Sequence, residues 1–134
     1  ARAAAAAEVL PGAPAPIFGS DRDAGAIEAA RANAGRAGGA GDITFVCTAL
    51  SGATAPTERG AIVSNPPYGV RVGDAERIGS LYAALGDLVR QRFGRWVVTL
   101  VVNDGVLLAR TGLRFEVLLS TRNGGLPVRF ASHR

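Results

Sequence analysis

The chain has 134 residues, 48% of them hydrophobic and 19% charged, with fifteen basic residues against eleven acidic and a net charge of +4. That balance describes one globular domain at most and excludes a disordered chain. A single cysteine, Cys47, excludes an internal disulfide framework and fits a reducing cytoplasm, and no apolar run approaches the roughly 18 residues of a membrane span. Every basic residue is arginine. The net charge is compatible with a polyanionic partner, although no dense basic cluster stands out along the chain. No methionine occurs, position 1 included, which reads as a piece of a longer chain or a processed product.

In chain order, residues 1–15 form an alanine- and proline-rich lead-in, in which residues 1–10 read as the end of a helix. Pro11, Pro14 and Pro16 then force an extended connection. Residues 17–20 form a short buried strand. Asp23 caps a helix that places Ile27, Ala30 and Ala34 on one face, and the glycines at 35, 38, 39 and 41 end it. Residues 43–47 are rich in β-branched and aromatic side chains and form a second strand, with Cys47 buried in it. Residues 51–60 are a loop, and 61–64 a third strand stopped by Pro66 and Pro67.

The clearest helix follows, spanning about 74–93. Ile78, Leu81, Tyr82, Leu85, Leu88 and Val89 recur with helical spacing between an Asp74 N-cap and a Gly94 stop. Residues 96–102 are almost continuously apolar, which suits a central strand covered on both faces. A short helix at 106–109 precedes two more strands, 115–120 and 126–130. Arg122-Asn123-Gly124-Gly125 carries an Asn-Gly turn signal, so these strands read as a terminal hairpin. The pattern predicts an α/β sheet, mainly parallel with an antiparallel edge, with Ile17, Ile43, Ile62 and Val98 on strands of one sheet.

The residues that carry chemistry are Asn65-Pro66-Pro67-Tyr68, directly after an apolar strand. In an open α/β sheet, ligands bind beyond the carboxyl ends of strands. The two prolines stiffen the turn and remove two N–H donors, so the local backbone presents mainly acceptors. The Asn65 amide oxygen and the Pro66 carbonyl can each accept one hydrogen of an exocyclic NH₂ group. Tyr68 offers a flat face for a base to stack on. The plainer alternative is a rigid turn that only ends a strand. Asp21 ends the first strand, where a carboxylate can accept from both hydroxyls of a ribose, or simply add a second cap to the following helix. His133 is the only histidine and lies at the tail, which disfavours a catalytic triad or a histidine metal cluster. No metal site is expected.

Asn65-Pro66-Pro67-Tyr68 resembles the Asn/Asp-Pro-Pro-Tyr/Phe motif of amino-methyltransferases, which act on DNA adenine, RNA guanine or, in one branch, protein glutamine. The longer string from Ile62 to Arg71, with Gly19 to Asp23 and Ala29 to Ala34 upstream, is similar to the 23S ribosomal RNA guanine-N2 methyltransferases that often carry a THUMP domain. The resemblance implies that residues 16–134 are the C-terminal portion of a Rossmann-like class I methyltransferase domain using S-adenosyl-L-methionine (SAM). It implies Asn65, Pro66, Pro67 and Tyr68 as catalytic, and Asp21, Arg22 and Asn65 as cofactor-binding, with Asp21 on the ribose. It implies ribosomal RNA as partner, and it leaves the oligomeric state open. Arg71 is placed to touch phosphate or simply to be solvated. Two features depart from the family pattern. Thr48, Ala49 and Leu50 stand where an acid often binds the adenine amino group. The first strand and its glycine-rich loop are also absent, since Gly35 to Gly41 follows a helix rather than a strand. The alternatives are a DNA adenine or protein glutamine enzyme, or an inactive fragment acting as a binding module.

Overall fold

The computed structural model describes residues 8–68, 75–103 and 105–134. The expected helix end over residues 1–10 and the Asp74 cap fall wholly or partly outside the described residues, as does Arg71. The chain divides into two compact units, Ala1–Ala53 and Thr54–Arg134.

The first unit is a β-α-β element. Strand β1 (Ile17–Asp21) pairs in parallel with β2 (Ile43–Cys47), in a register that sets Ile17 opposite Ile43 and Asp21 opposite Cys47. Helix α1 (Ala24–Ala37) connects them and packs on both. Its start is fixed as the sequence implies: the Asp23 carboxylate accepts from the Gly25 and Ala26 amides, satisfying two of the free N–H groups of the first turn. Its end lies later than the glycine pattern suggests. Gly35 stays helical, and Gly38, at φ 79°, caps the last turn because only glycine adopts the left-handed region without strain. Burial in this unit is slight. Ile27 and Ala34 are buried, whereas Ile17, Phe18 and Val46 are exposed.

Cys47, expected inside, is exposed. It is the last residue of a strand that has only one neighbour, and its thiol donates to the Arg22 carbonyl at 3.6 Å. Residues 50–52 form a single 3-10 turn at the start of the expected loop.

The second unit holds a four-stranded sheet in the order β3-β4-β6-β5. Strand β3 (Ala61–Ser64) runs parallel to β4 (Val97–Val102), and β6 (Leu126–His133) runs antiparallel to both β4 and β5 (Glu116–Asn123). The apolar run that predicts a central strand does give one, β4, between β3 and β6. Its exposure alternates, with Val98, Leu100 and Val102 fully buried and the residues between them partly so. Helix α2 (Ala75–Arg92) buries Ile78, Tyr82, Leu85, Leu88 and Val89, the face that its periodicity marks. Helix α3 (Gly105–Arg110) packs against both α2 and β4.

Gly86 of α2 is required by that packing: a Cβ there would collide with the Thr111 carbonyl just beyond α3. Trp96 precedes β4 instead of joining it. Its indole N–H donates to the Thr57 carbonyl at 3.1 Å and its ring lies over Gly60, which braces the loop before β3. The hairpin closes through Gly124 and Gly125, at φ 56° and 86°, with Asn123 paired to Leu126. The two-residue loop is therefore Gly-Gly, one position later than the Asn-Gly signal, with the left-handed pair that a type I′ turn demands.

The single-sheet expectation is corrected. Ile17 and Ile43 belong to one hydrogen-bonded set, and Ile62 and Val98 to another. The physical reason is pairing: among the described residues β1 bonds to β2 alone and β3 to β4 alone, so no ladder joins the two sets. The fold class stands as α/β and Rossmann-like. The first four strands form two parallel pairs, and the chain closes with an antiparallel hairpin.

Candidate active site

Asn65-Pro66-Pro67-Tyr68 leaves the carboxyl end of β3 without entering another element. Strand β3 is short because Pro66 and Pro67 cannot donate to a ladder. Asn65 and Pro67 are exposed, and Pro66 and Tyr68 half-buried. Among the described residues no hydrogen bond engages the Asn65 amide, which can both donate to and accept from a ligand. Tyr68 keeps part of its ring accessible, as a stacking platform requires.

Sequence reasoning missed a second amide at this end of the sheet. Asn103 directly follows β4, the parallel neighbour of β3, so both asparagines leave carboxyl ends of the same strand pair. The Asn103 Oδ1 is buried with no hydrogen-bond partner among the described residues. A buried acceptor without a donor costs about 1–3 kcal/mol, and native structures retain such groups mainly where a ligand, water or mechanism uses them. An asparagine after an apolar strand also fits a simple turn, so no local pattern could have singled it out.

Asp21 lies in the other unit, at the carboxyl end of β1. Its carbonyl accepts from the Thr48 amide at 2.8 Å, which continues the parallel ladder past β2. One carboxylate oxygen accepts from the Asp23 amide at 2.9 Å. Asp23 caps α1, and Asp21 braces that cap residue through its amide. The side chain is exposed, and among the described residues its second oxygen has no partner. A ribose hydroxyl fits this donor-accepting, strand-terminal carboxylate. Arg22 is exposed, and its carbonyl holds the Cys47 thiol. At 48–50 the chain offers Thr48, Ala49 and a 3-10 turn in place of an acid. Among the described residues no group of three or more histidine, cysteine or acidic side chains could hold a metal ion, and no helix is long and apolar enough to cross a membrane.

A stiff, acceptor-rich Asn-Pro-Pro-Tyr segment at a parallel-strand carboxyl end, in an α/β chain closed by an antiparallel hairpin, points to a methyltransferase-type domain. The chain belongs to the UPF0020 family, the RMKL-like methyltransferase domain, whose model matches residues 1–127. It is similar to the ribosomal RNA large subunit methyltransferase K/L of Shewanella loihica, with 34% identity over 114 residues, covering 85% of this chain and 16% of that protein.

Among solved structures it is similar to SMU.472 complexed with SAH, with a TM-score of 0.85 and 25% identity, covering 98% of this chain and 35% of the other. It is also similar to a predicted N6-adenine-specific DNA methylase from Listeria monocytogenes, with a TM-score of 0.69 and 28% identity, covering 85% and 29%. The chain spans 16–29% of the length of the curated relatives it matches first.

Proposed function

We propose that this chain supplies the substrate-gripping half of a SAM-dependent methyltransferase that modifies the exocyclic N2 of guanine in 23S ribosomal RNA. The observation that carries this reading is the Asn65 segment: an exposed amide with no partner among the described residues, followed by two prolines, at the carboxyl end of β3. SAM, when bound, would supply an electrophilic methyl group whose bond to sulfur breaks as the bond to nitrogen forms, the electron pair staying on sulfur in the neutral thioether SAH. The Asn65 side-chain oxygen and the Pro66 carbonyl each accept one hydrogen of the target NH₂ and stabilise the positive charge that grows on nitrogen as it forms its new bond to carbon. The nitrogen loses its proton afterwards, so no strong general base is required. Catalysis then rests on positioning and fixed dipoles. Tyr68 stacks on the base, which must leave its helix to reach the turn. Asp21 holds the ribose of the cofactor, and Arg22 lies beside it in sequence. Ribosomal RNA, rather than DNA, is supported by the likeness to large-subunit rRNA enzymes. The likeness to a DNA methylase keeps adenine N6 as the second reading.

The test is methyl incorporation into undermethylated ribosomal RNA, with the modified nucleoside identified by mass. N2-methylguanosine is expected, and N6-methyladenine formed in DNA would replace this reading with the second. Asn65→Ala should lower methyl transfer by about two to three orders of magnitude, as for the loss of one preorganised polar group, with SAM affinity little changed. Tyr68→Phe should be mild and Tyr68→Ala severe. Near-normal activity in Asn65→Ala would reduce the turn to a structural feature.

A further inference from the structure

The chain's positive charge is not evenly spread. Ten arginines and ten carboxylates before residue 105 cancel, and the last thirty residues hold five arginines against Glu116 alone, which accounts for the entire net charge of +4. This segment is mostly the β5–β6 hairpin. Every residue of β5 is exposed, with Val117, Leu118 and Leu119 about half accessible, so no packing demand explains its composition.

Strand register shows where two of these arginines point. Ser120 faces Arg129 and Arg122 faces Pro127. Opposed residues share a sheet face, and so do alternate residues along a strand. Arg122 and Arg129 are therefore diagonal neighbours on one face, with Cβ atoms roughly 7 Å apart. Both are exposed, and neither makes an ion pair among the described residues. Arg122 reaches only its own turn, at 3.4 Å from the Gly125 carbonyl.

The same register fixes the end of the sheet. Arg129 lies opposite Val102, the last residue of β4, and the hairpin runs on past it through Val128, Pro127 and Leu126 to the turn. The pair therefore stands on the rim where β3 gives way to Asn65 and β4 to Asn103. With neighbouring strands about 4.8 Å apart, β6 and β5 lie roughly 10 Å and 14 Å from β3. A nucleotide whose base enters the Asn65 turn has its own and adjacent phosphates within that range.

We propose that Arg122 and Arg129 form a phosphate-binding rail, which grips the RNA backbone beside the target nucleotide while its base occupies the Asn65 turn. The proposal rests on the RNA reading above and adds the surface that holds the substrate. Guanidinium groups suit it because each can bind a phosphate through two parallel hydrogen bonds. Such contacts position a nucleic acid without reading its sequence.

The rail is tested by the salt dependence of RNA binding, measured by fluorescence anisotropy on the intact protein with a labelled transcript of undermethylated large-subunit ribosomal RNA. Arg122→Ala/Arg129→Ala should flatten the slope of log K against log salt by about 1.4–1.8, the share of two phosphates at roughly 0.7–0.9 each. It should raise the KM for RNA about tenfold, leave kcat at saturating RNA near normal, and leave SAM affinity unchanged. Arg122→Lys/Arg129→Lys should recover most of the slope, which a misfolded hairpin would not do. Arg114→Ala, at the opposite end of the hairpin, should leave the slope in place. An unchanged slope in the double alanine variant overturns the rail, as does an equal loss in Arg114→Ala. Methyl transfer to RNA with an unchanged slope removes the rail and keeps the RNA reading. A flattened slope with methyl transfer confined to DNA or protein keeps the rail and removes that reading.

Discussion

Gly86→Ala should destabilise the Thr54–Arg134 unit, against the usual effect of replacing a helical glycine. The new Cβ would stand 2.6 Å from the Thr111 carbonyl carbon and 2.9 Å from its Cα, whereas carbon atoms in contact sit roughly 3.5–4.0 Å apart. The obstacle is backbone and cannot rotate aside, so α2 and the end of α3 must part by about 1 Å. That movement stretches the 2.9 Å hydrogen bond from Arg90 Nη1 to the Thr111 carbonyl, worth about 1 kcal/mol for a half-exposed donor. Overpacking adds about 1–3 kcal/mol, and the gain in helix propensity returns about 1 kcal/mol. The net loss is about 1–3 kcal/mol, which for a unit of this size lowers Tm by roughly 4–24 °C. Trp96, the only tryptophan, lies in the same unit, so its fluorescence on heating reads the change directly. Gly35→Ala is the control. It lies in α1 with nothing within 4 Å of its would-be Cβ, and it should stabilise its helix by about 0.5–1 kcal/mol, read by amide hydrogen exchange. A neutral or stabilising Gly86→Ala would show that α2 and the Thr111 carbonyl do not meet as described.

Asp21→Ala should weaken SAM binding by about 1.5–3 kcal/mol in calorimetry on the intact protein, as for a hydrogen bond to a charged group; unchanged affinity would confine Asp21 to its contact with the Asp23 amide. Thr111→Val should cost about 1–3 kcal/mol in urea unfolding, because the buried Thr111 hydroxyl donates to the Leu108 carbonyl at 2.7 Å and accepts from the Leu113 amide at 3.0 Å. A variant as stable as the parent would show that those two groups find other partners.

What could be read from the sequence depended on whether the signal was local. The Asp23 cap, the apolar face of α2 and the Gly-Gly hairpin are written in a few neighbouring residues, and the structure places all three close to where they were expected. The end of β3 at Ser64 was legible because two prolines after an apolar strand cannot donate to a ladder. The burial of Cys47 was misjudged because β-propensity fixes the strand but not the number of its neighbours. The close approach at Gly86, the buried Asn103 amide and the pairing of Arg122 with Arg129 depend on helix packing and register, which join residues distant in the chain. Periodicity shows which face of α2 is buried; it does not show that one residue on that face must lack a side chain.

The unpaired edges of β1 and β3 bear on how this polypeptide behaves in solution. Among the described residues each presents an edge with no strand paired to it, with Ile17, Phe18 and Val63 exposed at 45%, 50% and 74%. An uncovered edge with apolar side chains is a template for another chain, and the proline, lysine and inward-charge devices that usually protect such edges are absent from residues 17–21 and 61–64. Produced by itself, the polypeptide should self-associate as its concentration rises, through strands that add to these edges. A soluble synthetic peptide of alternating β-branched residues should compete with that process, and arginine or proline at Val63 should suppress it.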